Sequence, residues 1–168
     1  MIGGSNGESR GSLHETALHH AFSSSRAVSS VARLLGVPQE GEPLGRDGLG
    51  ELIGIEHQDT GPGEVRARVE VTDDIRQPVG LVHGGVYGAL AESICSAATW
   101  RAVQSEGMDA MGQANSATFL RPITDGHVNA VARPRHRGRT TWVWDVEITD
   151  DDDRLCALVR MTVAVRPG

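Results

Sequence analysis

Residues 83–98 read HGGVYGALAESICSAA, and Glu92 is the one carboxylate in that apolar run. Acids are seldom deeply buried without a partner. The position therefore marks either an acid on an exposed helix surface or a carboxylate at work in a dry cleft. In a dry cleft, desolvation raises its basicity. At 3.6 residues per turn, Gly85, Gly88, Glu92, Ser96 and Thr99 fall on one stripe, and the other faces are apolar. A stripe of small residues with one acid leaves room for a neighbouring backbone or a ligand.

His83-Gly84-Gly85 opens the helix. Amides of a first helical turn have no internal partner, and the helix dipole favours negative charge there. Two glycines let a ligand approach that backbone closely, so the segment is a candidate oxyanion or anion site. Gln77 lies just upstream, and Pro78 holds it out of the helical region. Its amide both donates and accepts, which suits orienting water or a carbonyl, while the pattern alone favours an ordinary surface-loop glutamine. Gly84 and Glu92 are eight residues apart, about 12 Å along a helix axis. Both can act on one carbonyl only if they come from two helices running antiparallel. The spacing thus predicts a two-fold dimer with two composite sites. A Cys95–His83 nucleophilic pair is disfavoured, since a segment helical throughout separates the two by about 18 Å.

These residues need a frame. Residues 64–71, EVRARVEV, alternate as a half-buried strand, with LIGIEH before QDTGPG as its hairpin partner. Further strands are expected over 112–121, 126–136, 139–149 and 154–165, joined by short turns as an antiparallel meander. Two strands, one long helix and three or four strands make an α+β arrangement, a helix packed on a curled sheet. Residues 1–48 read as an extension: a Gly/Ser-rich start, a helix over 13–36 ending at Gly36, and a linker at 37–48. Residues 49–168 are the expected folded domain.

The chain has 168 residues, enough for one domain with a proper core. A net charge of −6 argues against a nucleic-acid binder. No apolar run reaches a membrane span, and the N-terminus lacks the pattern of a secretion signal. Cys95 and Cys156 are expected to stay reduced in a cytoplasmic protein. His14, His19 and His20 have no acid or cysteine arranged with them, and no metal site is expected.

The pattern Gln-x5-His-Gly-Gly-x6-Glu-x3-Ser, on Gln77, His83, Gly84, Gly85, Glu92 and Ser96, resembles the hotdog-fold acyl-CoA thioesterases. It is most similar to the PaaI-like branch and its aryl-CoA members, the 1,4-dihydroxy-2-naphthoyl-CoA and 4-hydroxybenzoyl-CoA thioesterases. The resemblance covers residues 49–166. It implies the hotdog fold, a long central helix wrapped by a curved antiparallel sheet of five to six strands, assembled as a homodimer or homotetramer. It implies hydrolysis of an acyl-CoA thioester, expected to be aromatic, without a cofactor. Glu92 matches the catalytic carboxylate, as nucleophile or as general base. Gly84 matches the oxyanion amide, Gln77 the positioning amide, Ser96 a hydroxyl that hydrogen-bonds in the site, and His83 the histidine before the oxyanion glycine. Some aryl-CoA members carry a histidine where this chain has Phe119. Gly85 would let substrate approach closely. RPRHRGR supplies Arg133, Arg135, Arg137 and Arg139 as candidate contacts for CoA phosphates. Two alternatives stand beside this reading: a hotdog enoyl-CoA hydratase, and a non-catalytic acyl-CoA-binding module.

Overall fold

The computed structural model describes residues 48–58 and 63–168. The helix expected over 13–36, the linker up to residue 47 and His14, His19 and His20 lie outside the described residues. In chain order the elements are helix α1 (Gly48–Ile53), β1 (Ile55–Gln58), β2 (Val65–Glu70), helix α2 (Gly84–Val103), β3 (Met108–Phe119), β4 (His127–Arg137), β5 (Thr141–Thr149) and β6 (Leu155–Pro167). All strand pairs are antiparallel, in the order β1-β2-β4-β5-β6-β3. α2 packs against β2 to β6. This is the hotdog arrangement of one long helix held by a curled antiparallel sheet.

The sheet is not a simple meander. Strands β4, β5 and β6 follow one another, but β3 skips its sequence neighbour β4 and pairs with β6 at the far edge. Every β3–β4 turn signal is local, whereas this choice is set by the helix. α2 runs between β2 and β3, so the chain re-enters the sheet on the opposite side. The second departure is at LIGIEH. Leu52 and Ile53 end α1, Gly54 (φ +73°) stops it, and only Ile55 onward pairs with β2.

α2 is buried by Val86, Tyr87, Leu90, Ala91, Ile94, Cys95, Thr99 and Val103. Leu90 and Ile94 are fully buried, each contributing about 1.5–3 kcal/mol by leaving water. They meet the inward side chains of the strands, among them Val69, Val128, Val146, Ile148, Val159 and Val163. Trp142 and Trp144 share this interior, with ring centroids 6.0 Å apart.

Thr99 departs from the polar stripe assigned from the sequence. It is fully buried, donates its hydroxyl hydrogen to the Cys95 carbonyl (2.8 Å), and accepts from the Trp144 indole N–H (3.0 Å). A threonine at this spacing fits the core because both of its hydrogen-bonding capacities are met. Thr99→Val keeps the shape and strands the indole donor. The expected loss is about 1–3 kcal/mol of unfolding free energy, measured by denaturant titration.

Candidate active site

The chain enters α2 through a small hairpin. The Gln77 N–H donates to the Leu81 carbonyl (2.7 Å), and the Gly80 N–H donates to the Gln77 carbonyl (2.9 Å). Gly80 takes φ +84°, a conformation that closes a tight turn after Pro78 and Val79. Arg76 and Val82 bridge across it. Val82 N–H then donates to the Ile123 carbonyl and His83 N–H to the Ile75 carbonyl. Gln77 and the helix start are thereby fixed to one local frame.

His83 is the N-cap of α2, and its Nδ1 accepts from the Gly85 N–H at 3.0 Å. An accepting Nδ1 places the ring proton of neutral histidine on Nε2. The cap consumes the Gly85 amide and leaves the Gly84 amide, which has no intrahelical acceptor, to face outward. The histidine therefore sorts the two glycines. One amide is tied back, and the other is available to a carbonyl oxygen.

Over this start lies a cleft of about 590 Å³. Its polar edge carries Gln77, His83, Gly84 and Gly85, and its other walls include Tyr87, Phe119 and Arg121. Phe119 rests its ring on Gly84; a Cβ built there would stand 2.7 Å from the ring Cζ. The ring is 58% exposed, with its centroid 5.8 Å from that of Tyr87, so it is an accessible wall and not core.

Glu92 is not in this cleft. Two turns further along α2, its carboxylate lies against Gly112 of β3, and a Cβ there would come 2.6 Å from Oε1 and 2.9 Å from the Met161 methyl. The dry surroundings expected for it are absent within one chain, where Glu92 is exposed. Beside it, β3 bulges between Gly112 and Ala114. Asn115 donates to the Gly88 carbonyl at 2.9 Å, holding β3 to the small-residue stripe of the helix. Ser96, one turn beyond Glu92, has a buried hydroxyl with no partner among the described residues. The sequence-predicted residues thus form two groups on one helix: Gln77, His83, Gly84 and Gly85 at its start, and Glu92 with Ser96 midway.

Comparison with known proteins decides what family this arrangement belongs to. The thioesterase superfamily model matches residues 79–157. The chain is 35% identical over 127 residues to the 1,4-dihydroxy-2-naphthoyl-CoA hydrolase of Escherichia coli, covering 74% of this chain and 93% of that one. The crystal structure of thioesterase PA1618 from Pseudomonas aeruginosa, a glutamine-to-alanine variant, superposes with a TM-score of 0.70 at 36% identity, covering 73% and 88%. The SAV0944 protein of Staphylococcus aureus superposes at 0.68 and 0.67 in two variants, one lacking a glutamate and one a glutamine. Both are 33% identical and cover 71% of this chain and 99% or 98% of theirs. The chain belongs to the thioesterase superfamily.

In this thioesterase the four arginines expected to meet CoA phosphates are not equivalent. Arg133 bridges Glu64 (3.1 Å) and Glu147 (3.0 Å). Arg135 pairs with Asp145 at 2.8 Å, and Arg160 reaches the same carboxylate at 2.8 Å. Hydrogen bonds from Arg160, then Arg135, hold Asp145 below the usual carboxylate range. These two arginines belong to a charge ladder on the outer face of the sheet. Arg137 lies over the Trp142 ring, its Cζ 5.1 Å from the centroid. Arg137 and exposed Arg139 form no ion pair among the described residues, and they border the β4–β5 turn.

Burial raises the Cys95 thiol far above its ordinary value, which removes it as a thiolate nucleophile in this thioesterase. Among the described residues, no three His, Cys, Asp or Glu side chains come together as a metal site. No described helix is long and apolar enough to cross a membrane. The sequence reading missed Gly112, Asn115 and Arg121. A lone glycine inside a strand is a signal of close approach, and Gly112 carried it.

Proposed function

We propose that this thioesterase hydrolyses an aromatic acyl-CoA to the free acid and CoA in the cytoplasm, at two sites shared between the copies of a homodimer. One observation carries the reading. The free Gly84 amide and the Glu92 carboxylate lie two turns apart on one rigid helix, with an exposed edge strand beside the acid. A helix cannot bend to bring its own two groups together. Strand β3 is twelve residues long, lies at a sheet edge and is exposed over most of its length. Such an edge is a template for pairing with a second copy. Antiparallel pairing of two β3 strands about a two-fold axis carries the Phe119 end of one to the Gly112 end of the other. Gly84 then faces the partner's Glu92. The same contact would take water away from that carboxylate.

In the reaction, the thioester carbonyl accepts from the Gly84 amide, and Gln77 orients the reacting groups. The carboxylate either attacks the carbonyl carbon or takes a proton from the attacking water. Where the carboxylate takes a proton from water, the tetrahedral intermediate expels the thiolate of CoA, which receives that proton, and the acid is released; where the carboxylate attacks, loss of the thiolate leaves a mixed anhydride on Glu92, which water then hydrolyses to the free acid and the restored carboxylate. On this reading the Ser96 hydroxyl, one turn beyond Glu92 on the same helix, donates to the acid. The walls of Phe119 and Tyr87 suit a flat acyl group. Phe119 gives a ring contact where some aryl-CoA relatives have histidine. Of the four arginines, this reading assigns the phosphates to Arg137 and Arg139, which meet no acid among the described residues. The Staphylococcus glutamine and glutamate variants are fifteen positions apart, the separation of Gln77 and Glu92, which supports the assignment of these two residues.

Subunit mixing tests the shared site. Glu92→Ala and Gly84→Pro should each be inactive alone; proline is tolerated at a first helical position and deletes the amide. Mixed dimers regain one intact site, so a refolded equimolar mixture should recover roughly a quarter of wild-type activity. A mixture as inactive as its components would overturn the shared site.

A further inference from the structure

We propose that Arg121 is a specificity residue, selecting thioesters whose acyl group carries an anionic oxygen, a carboxylate or a phenolate, remote from the carbonyl. This rests on the thioesterase reading above and names the substrate class of that same cleft.

Most arginines of the sheet are spoken for. Arg66, Arg68, Arg76, Arg133, Arg135, Arg154 and Arg160 each meet an acid, and Arg166 donates to two carbonyls. Among the described arginines, Arg101, Arg121, Arg137 and Arg139 meet neither an acid nor a carbonyl, and of these four Arg121 is the one at the cleft. Arg121 forms no hydrogen bond or ion pair through its side chain among the described residues, yet it lines the cleft at the start of α2. Its backbone is not loose. The Leu120 and Arg121 amides both donate to the Cys156 carbonyl, at 2.8 and 3.0 Å, and the following Ile123 carbonyl accepts from Val82. Arg121 therefore lines, from a fixed stretch of backbone, a cleft otherwise walled by Phe119, Leu120, Leu81, Tyr87 and Pro122.

An arginine that meets no acid, on a largely apolar wall of the cleft that also holds the Gly84 amide, fits one chemistry. It would pair with a carboxylate or phenolate through two parallel N–H donors. The phosphates of CoA are the poorer fit. The pantetheine arm carries them well past a cleft of about 590 Å³, whereas an acyl group of one or two rings fills it.

The test compares benzoyl-CoA with its 3- and 4-carboxybenzoyl counterparts in the wild type, Arg121→Gln and Arg121→Lys. The wild type should favour at least one carboxylated ester over benzoyl-CoA in kcat/KM. In Arg121→Gln the loss on that ester should exceed the loss on benzoyl-CoA by about 10- to 100-fold, with Lys recovering part of it. A calorimetric titration reads the same site without turnover. Isophthalate or terephthalate should bind the wild type at least tenfold more tightly than benzoate, and Arg121→Gln should abolish the difference. Equal losses on all esters would assign Arg121 to CoA or to the fold and overturn the proposal, as would a wild type indifferent to the added carboxylate. Hydrolysis of none of the esters, with the binding preference intact, would instead strike at the thioesterase reading and leave the anion site standing.

Discussion

Glu92→Ala should lower kcat by about 10²- to 10⁴-fold, the range lost when a positioned acid–base group is removed. The fold should be unaffected. Glu92 is exposed in the single chain and makes no hydrogen bond or ion pair among the described residues. Alanine is also the better helix former. A thiol-release assay gives the rate, and thermal unfolding confirms the fold. Near-full activity in a folded variant would refute the assignment. The same assay separates the two roles left open. A burst of thiol ahead of acid release marks an acyl-enzyme on the carboxylate, and its absence favours direct attack by water.

Gly112→Ala should cost about 10²-fold in kcat while leaving stability nearly unchanged. The added Cβ would stand 2.6 Å from the Glu92 Oε1 and 2.9 Å from the Met161 Cε. Both are far ends of flexible side chains, so the strand and helix need not move. The carboxylate must, and a displacement of about 1 Å of a reacting group costs on this order. Because the acid is displaced and not deleted, KM should change little. An equal rise in KM, or a lowered melting temperature that accounts for the loss, would mean that the strand itself had shifted.

The sequence was most informative where a local pattern had one physical solution. Alternation over 64–71 and 154–165 marked β2 and β6, and the apolar run after His83 marked α2, because burial on one face dictates each period. The shared position of Gln77, His83 and Gly84 at the helix entry was legible because a proline, two glycines and a helix start constrain one another within eight residues, whereas the role of Gln77 was not, since the pattern alone favours a surface-loop glutamine. The order of the strands was not legible. The pairing of β3 with β6 depends on where the helix returns the chain, which no local pattern encodes. Thr99 was misplaced for a related reason: its partner, Trp144, lies 45 residues away. The arginines of RPRHRGR look alike in sequence, and only the acids on neighbouring strands distinguish Arg133 and Arg135 from Arg137 and Arg139.

Placing the amide and the acid on one stiff rod has a consequence for the life of the molecule. On the shared-site reading, a newly made subunit holds both halves of the machinery yet is inert towards the CoA esters around it. Hydrolysis switches on only when it meets its mate. Assembly itself then acts as the safety catch on a reaction that would otherwise drain activated acyl groups from the cell.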